Sequence, residues 1–574
     1  MLGLHIADIC VLAAYLVGVT AIGIWAARKI ESVADFFMPR RFGKAMMVTH
    51  GFGTGTHSDQ AVSVASKSYT NGLSGIWYQW LWLFATPFYW LIAPVMRRFR
   101  AITTADVFEA RYSPSVAMLY AVVGMINLAI NIGVMLKGSS AVVDGCTAGY
   151  VSSNLAIAVM TVLFVTYGVA GGLSAAIVTD FIQGILIVVF SFLLLPFILN
   201  AVGGLQGIRQ YFTSVSDPGK LSLVAPEEIG FFYIAVIAFN ALVGIVTQPH
   251  TMGNCAACRT EMEGRFGWMC GNFLKRICTV AWSLTGLAAV VYFAGRRVRP
   301  DHPDLIFGLV AADFLPQILH GVLGLFLAAI LASVMSSCDS FMVASSGLFT
   351  ENIYKRLLPN RSERHYISVA RVTAVTIVGG GVAFAYWLPG VVTGLEIFWK
   401  VSAMMGIAFW LGLFWRRTTV AGAWAATLVG FAVMLFTSRI AFGQFVLWDF
   451  DAHGAQYLPG FMLWHGKLYL PWQMILYLGA GLISGIVVSL VTPSVVEEKL
   501  ENFYALIRTP VTPGEQVIAP CTLPSGAVVP PKRNLFPGTN LEIAVPTRVS
   551  MLGFLAGWAA VGAIVVSVYL IARW

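Results

Sequence analysis

A chain of 574 residues that is 58% hydrophobic and 11% charged, with mean hydropathy +0.78, is not a soluble globular protein, which carries about 25% charge. It reads as an all-α polytopic membrane protein, and its net charge of +9 calls for no nucleic acid, because cytoplasmic loops collect Lys and Arg. The eight cysteines are scattered. Cys255 and Cys258 form a lone CxxC, without the second pair or the histidines that a zinc site needs.

About 20 apolar residues cross a bilayer as a helix. Spans are expected near 4–26, 44–66, 74–96, 114–142, 151–170, 174–199, 229–249, 276–296, 319–349, 368–388, 391–415, 418–437, 471–492 and 551–572. The first is too long for a cleaved signal peptide and lacks its basic n-region. Segments 303–318 and 440–470 read as ordered or interfacial pieces outside the membrane. Basic residues cluster after alternate spans: Arg28 to Lys44, Arg97 to Arg111, Arg259 to Arg276, Lys355 to Arg371, and Arg416 with Arg417. That face is expected to be cytoplasmic, in a cell membrane, with both termini external. Arg296, Arg297 and Arg299 are the exception. The Pro-rich stretch 509–549 carries no fold signal beyond tethering the last helix.

The second span is interrupted. Gly51, Gly53 and Gly55 fall at every second position, and His57, Ser58, Asp59 and Gln60 follow where a lipid-facing helix would carry Leu or Val. Hydrocarbon tolerates this only against protein or a watery cavity. Unwound carbonyls there can coordinate a cation, and freed helix N-termini can meet a substrate; a glycine kink for packing is the alternative. Span seven carries a matching interruption at Asn240, Gly244, Thr247 and Pro249.

Four stretches resemble the sodium:solute symporter family, which includes sodium–glucose cotransporters, proline permease and sialic acid transporters. They are YGVAGGLSAAIVTDFIQG (Tyr167 to Gly184), TQPH (Thr247 to His250), LAAILASVMSSCDSFMVASSGLFTENIYKRL (Leu327 to Leu357) and LGLFWRRTTVAGAWAA (Leu411 to Ala426). The resemblance implies an inverted-repeat (5+5) fold of leucine-transporter type with about 14 transmembrane helices. Residues 1–43 would hold a first peripheral helix and cytoplasmic loop, 44–200 the first repeat, 201–417 the second, and 418–574 peripheral helices twelve to fourteen with a Pro-rich cytoplasmic loop at 494–550.

The resemblance also implies Na+ as coupling ion, held by oxygen ligands as suits a hard cation. The family's site takes two backbone carbonyls from span two, here Gly53 and Thr56. Span nine adds a carbonyl and two hydroxyls at i, i+3, i+4, here Ser333, Ser336 and Ser337, which share one helical face. Small residues gluing helices is the other reading of the serines. Asp180 matches an aspartate near the family's sodium exit path, or caps an interfacial helix.

For the solute, His57, Asp59, Gln60 and Gln79 follow or face the break. Gln60 and Gln79 match pocket positions of the sodium–sugar transporters, and Lys275 matches their lysine at the start of span eight. Leu395 stands where they carry a sugar-binding glutamine, a departure that speaks against a sugar. Asn240 lies about a turn before the break in span seven. Lys137, deep in span four, has no acid one turn away and could hold a substrate carboxylate; pairing with Asp59 or reaching toward Asp144 are its alternatives. Glu396 and Lys400 are spaced to pair.

The expected function is a sodium-coupled secondary transporter that imports a small organic solute, a carboxylate or amino-acid-like compound, by alternating access. A transporter-like sensor or a symporter of a sugar or other neutral solute is the alternative. No selectivity-filter ring suggests a channel, and no nucleophile–base motif or cofactor fingerprint suggests an enzyme. The expected partners are the solute and the bilayer, with no nucleic acid and no obligate protein partner.

Overall fold

The computed structural model describes residues 3–27, 40, 42–225, 228–442, 445–515 and 517–573, without the side chains of 19–20, 22–27, 166–180, 182, 332, 336, 339 and 442. The main helices are α1 (Ile6–Ala27), α2 (Lys44–Gly53), α3 (Ser58–Asn71), α4 (Thr86–Arg98), α5 (Thr104–Arg111), α6 (Pro114–Cys146), α7 (Ser153–Ala201), α8 (Phe231–Ile245), α9 (Pro249–Ala256) and α10 (Glu261–Arg296). There follow α11 (Ile306–Phe314), α12 (Val322–Phe349), α13 (Glu363–Trp387), α14 (Val391–Ala403), α15 (Gly406–Phe414), α16 (Val420–Phe436), α17 (Leu470–Val491), α18 (Glu497–Arg508) and α19 (Arg548–Arg573). The only long extramembrane strands among the described residues are the antiparallel pair Arg439–Phe442 and Phe445–Asp449.

Two expected spans are broken helices. Between α2 and α3 the chain leaves the helix at Thr54 to His57, and His57 is extended at φ −124°, ψ 168°. Between α8 and α9 the axis bends by 69°. Pro249 lacks an N–H and pushes Gln248 into the extended region (φ −67°, ψ 122°), so a helix ends before it and a new one starts at it.

Helix α10 locks both halves of the first broken helix in place. A Cβ on Gly51 would lie 2.6 Å from the Gly267 carbonyl oxygen, and one on Gly271 would lie 2.7 Å from Phe52 N. Gly286 abuts Ala65 further along. This is a small-residue seam of the kind that lets transmembrane backbones approach closely. Gly267, Gly271 and Lys275 follow at i, i+4, i+8 and share a face. The lysine is therefore aimed at the gap between α2 and α3.

Several expectations need correction. Eight helices among the described residues are long and apolar enough to cross a membrane, nine if the bent pair counts as one span. Ile6–Gly18, Ser153–Val165 and Val420–Phe436 are further apolar helical stretches below that length among the described residues, and the expected count of about fourteen is not tested beyond them. The spans expected at 151–170 and 174–199 are one 49-residue helix, α7, since the Gly171–Gly172 pair between them does not interrupt the backbone. Lys275 and Arg276 lie within a helix rather than at its first turn: α10 begins at Glu261 behind a capping box formed by Thr260 and Glu263. Glu396 accepts from Tyr78 Oη (2.9 Å), and among the described residues it makes no ion pair with Lys400.

The 494–550 segment is also more than a tether. It contains α18, whose Tyr504 Oη donates to Gly412 O (2.9 Å). Arg416 pairs with Glu542 (2.6 Å), Glu501 (2.7 Å) and Glu497. Glu515, 3% exposed, lies between Arg97 (3.5 Å) and Arg100 (2.9 Å). A buried carboxylate needs such partners, because desolvating it alone is prohibitive.

Candidate functional site

The break in the first helix is built from peptide groups and short polar side chains. Thr54 N donates to His50 O (2.9 Å) and Thr56 N to Gly53 O (3.0 Å). Thr56 Oγ1 turns back to Phe52 O. Across from the break, Ser337 Oγ on α12 lies 3.3 Å from Gly53 O, and Ser337 is fully buried. Ser333 Oγ donates to Ile330 O (2.7 Å) within its own helix. Ser336 and Asp180 lie in α12 and α7, and their side chains fall outside the described residues.

The first turn of α3 is polar and buried. His57 Nδ1 donates to Asp59 Oδ1 at 2.5 Å, with exposures of 6% and 0%. The other Asp59 oxygen has no partner. Gln60 Nε2 donates to Gly55 O (2.5 Å), and so does the Lys275 ammonium. Among the described residues no carboxylate makes an ion pair with Lys275, although Asp59 acts on it from further off. Gln79 lends its backbone oxygen to the Arg276 guanidinium, and its side-chain Oε1 is buried without a partner. Helix α6 closes this wall: Gly138 abuts the Asp59 backbone, and Ser139 hydrogen-bonds Ser58.

The structure thus brings Gly53, Thr56, His57, Asp59, Gln60, Lys275, Ser333 and Ser337 around one break. Gln79 adjoins it through Arg276, the neighbour of Lys275. Asn240 is committed elsewhere: its Nδ2 donates to Trp399 O (3.1 Å) and its Oδ1 accepts from Tyr477 Oη (2.6 Å). Lys137 is half-buried, with no ion pair among the described residues. Gly133, one turn before it, packs on Gly381 and Ala385 of α13, whereas Gly138 faces Asp59. Helical geometry puts Lys137 on the Gly133 side. Asp144 instead accepts from the Ser153 hydroxyl (2.9 Å) and amide (3.2 Å).

Around Thr247 and His250 of the TQPH stretch, the second break brings in Tyr120, Ser402 and Phe341, which no sequence motif singled out as functional. Thr247 O accepts from Tyr120 Oη (2.8 Å), and Thr247 Oγ1 lies 3.1 Å from Ser402 O. His250, in the TQPH stretch, stacks obliquely on Phe341 at 4.9 Å, and His57 meets the same ring edge-on at 6.2 Å. A cavity runs between the breaks, lined among others by His50, Thr54, Thr103, Thr104, His250 and Ser340. His50 pairs with Thr54 Oγ1 (3.0 Å).

A family model for the sodium:solute symporters matches residues 37–430. The chain is 26% identical over 501 residues to an osmoregulated proline transporter of Bacillus subtilis, covering 84% of this chain and 94% of that one. It is 25% identical to the sodium/pantothenate symporter of Escherichia coli (73% and 88% covered). It is 24% identical to the sodium/glucose cotransporter of Vibrio parahaemolyticus (76% and 85%). A solved sodium-coupled sialic acid symporter superposes with a TM-score of 0.70 at 18% identity, over 85% of this chain and 99% of that one. That likeness gives the leucine-transporter-type fold. Two broken helices facing each other inside an all-helical, multi-pass membrane chain, together with the family match over most of its length, make the protein a transporter rather than an enzyme: it belongs to the sodium:solute symporter family and couples Na+ to the transport of a small organic solute.

Proposed function

We propose that sodium binds where α12 meets the first break. Its ligands would be the carbonyls of Gly53, Thr56 and Ser333 and the hydroxyls of Ser336 and Ser337. The observation that carries this reading is the 3.3 Å approach of Ser337 Oγ to Gly53 O. Two oxygens that close fit around one cation with bonds of about 2.4 Å, the range of hard-cation sites. The Ser333 hydroxyl is turned to Ile330 O, so Ser333 would contribute its carbonyl, through the second lone pair left beside its helical hydrogen bond. Asp180 would serve the exit path. Sodium dependence of uptake in Ser337→Ala proteoliposomes tests the site.

The solute in this reading is a carboxylate or amino-acid-like compound. Among the described residues around the first break stand one cation without an ion pair, Lys275, and one carboxylate with a free oxygen, Asp59. An α-amino acid offers the complementary pair, a carboxylate for the ammonium and a donor for Asp59. The carboxylate-holding role falls to Lys275 rather than Lys137, which sits on the other side of α6. His57, Gln60 and Gln79 would complete the pocket, and Asn240 would hold the second broken helix in shape. Among the relatives, the named solutes include proline and pantothenate as well as glucose. Competition by carboxylates, their amides and hexoses for sodium-dependent binding separates these classes.

Transport would proceed by alternating access, with residues 44–200 and 201–417 as the inverted repeats, the basic face cytoplasmic and both termini external. Sodium would hold the broken helix in shape for the solute, and by linkage each ligand would raise the other's affinity by the same factor.

A further inference from the structure

The chain segment after α4 is held in an unusual shape. Arg100 has φ +54°, in the left-handed region that a non-glycine residue rarely occupies. Arg40, itself at φ +49°, donates to the carbonyls of Arg100 (2.7 Å) and Ala101 (3.0 Å). Ile102, Thr103 and Thr104, which follow, line the cavity between the two breaks. The structure therefore spends strain at the mouth of the cavity nearest the basic face, and strained backbone persists only where its surroundings hold it.

What holds it is the segment after α18. Arg100 donates to the carbonyls of Thr509 (3.4 Å) and Pro510 (3.1 Å) and to the Glu515 carboxylate (2.9 Å), which also meets Arg97. Val511 N donates to Glu261 (3.0 Å), the residue that forks with Arg98 at the start of α10. Cys521 is half-buried, within electrostatic reach of Asp106 and Arg40. The far end of the segment is anchored to a different span. Arg416 N donates to Asn540 O (2.9 Å), Glu542 N to Phe414 O (2.8 Å), and the Arg416 side chain pairs with Glu542. One strap thus ties the ends of α4, α10 and α15 together, next to the Ile102–Thr104 segment that lines the cavity.

We propose that residues 509–515 and 517–549 act as a strap that latches the inner mouth of the transport cavity, with Glu515 as the bolt, and that inward opening requires Glu515 to leave Arg97 and Arg100. Opening must separate helix ends that the strap joins. The buried charges make the latch two-state, since a carboxylate half withdrawn from its arginines has neither partner nor water. This rests on the orientation and alternating access proposed above; the alkylation measurement is made in detergent micelles so that sidedness does not enter it, and uptake is read separately in proteoliposomes.

Cys521 supplies a reporter within the strap. Alkylation of its thiol by N-ethylmaleimide, followed peptide by peptide in the mass spectrometer, is expected to be slow in the wild type and slower still with sodium. In Glu515→Gln it should be faster by about tenfold, the change expected from losing one charge-assisted hydrogen bond. Glu515→Asp should restore most of the protection. Uptake by Glu515→Gln should show a raised half-saturating sodium concentration, because the inward-open state gains population. Arg100→Lys keeps the charge and loses the fork, so it carries the same test if Glu515→Gln does not fold. Wild-type alkylation rates in a variant that still binds sodium would overturn the latch. Loss of sodium stabilisation in the wild type would instead overturn the ion site.

Discussion

Replacing Ser337 by Ala removes one oxygen from the junction of α12 with the first break and leaves the packing almost unchanged. The side chain is fully buried and 3.3 Å from Gly53 O. Without its hydroxyl, a cation there keeps the backbone carbonyls and Ser336. The lost ligand should cost about 1.5–3 kcal/mol, by analogy with a buried hydrogen bond to a charged group, so the sodium concentration for half-maximal uptake rises by roughly 10- to 150-fold. Ser336→Ala should act alike. Ser333→Ala is the discriminating control: its hydroxyl is turned to Ile330 O and its carbonyl survives the substitution, so sodium dependence should move by less than about threefold, a difference of under 1 kcal/mol. The assay is sodium titration of solute uptake into proteoliposomes, paired with sodium-dependent thermal stabilisation, which reads binding without turnover. Wild-type sodium dependence in both Ser336→Ala and Ser337→Ala would refute the site, and a large effect of Ser333→Ala alone would move it.

Asp180→Asn should slow turnover more than it weakens sodium binding by an outward-locked protein; equal losses in both would make Asp180 a direct ligand. Lys275→Gln should abolish the preference for carboxylates over their amides while sodium still stabilises the protein, and an unchanged competition profile would remove Lys275 from the pocket. Gly51→Ala places a Cβ 2.6 Å from Gly267 O and should destabilise the protein by about 1–3 kcal/mol, measured as a lower unfolding temperature with or without sodium. The Glu542 carboxyl is raised by burial, but hydrogen bonds from Asn534, Lys532 and Arg416 outweigh this and hold it below its ordinary value of 4.5. A lowered folded-state value means stabilisation that is complete above about 4.5 and lost as the pH falls further. Unfolding temperature should therefore drop on acidification below that point, and Glu542→Gln should flatten the drop.

The sequence was most legible where physics left it little choice. Glycines and polar residues inside an apolar span have few uses in hydrocarbon, so the breaks at Thr54 to His57 and at Val246 to Gln248 could be located from residues alone. Pro249 even sets the direction of the second. Lys275 shows the opposite case. Family resemblance makes it a solute candidate, but its place along the chain, in the polar first half of α10, gives no sign of what it faces. What aims it at the break is the Gly267 and Gly271 spacing, which matters only once α2 is known to pack there. Lys137 is a related case. Depth along a helix can be read from sequence, but which side faces the pocket depends on neighbours that one chain does not announce, here α13 against Gly133 and α3 against Gly138. The strap was the least legible part. Its residues follow no period, and its order comes from single carboxylates meeting arginines that lie over 400 positions away for Glu515 and 126 for Glu542. Those arginines had already been assigned to the positive-inside pattern, an assignment that sets their side of the membrane and says nothing of their partners. In a chain with so few charges, a buried ion pair on that face has to be accounted for by something other than topology, and joining helix ends that must part during transport is a use that fits where Glu515 and Glu542 lie.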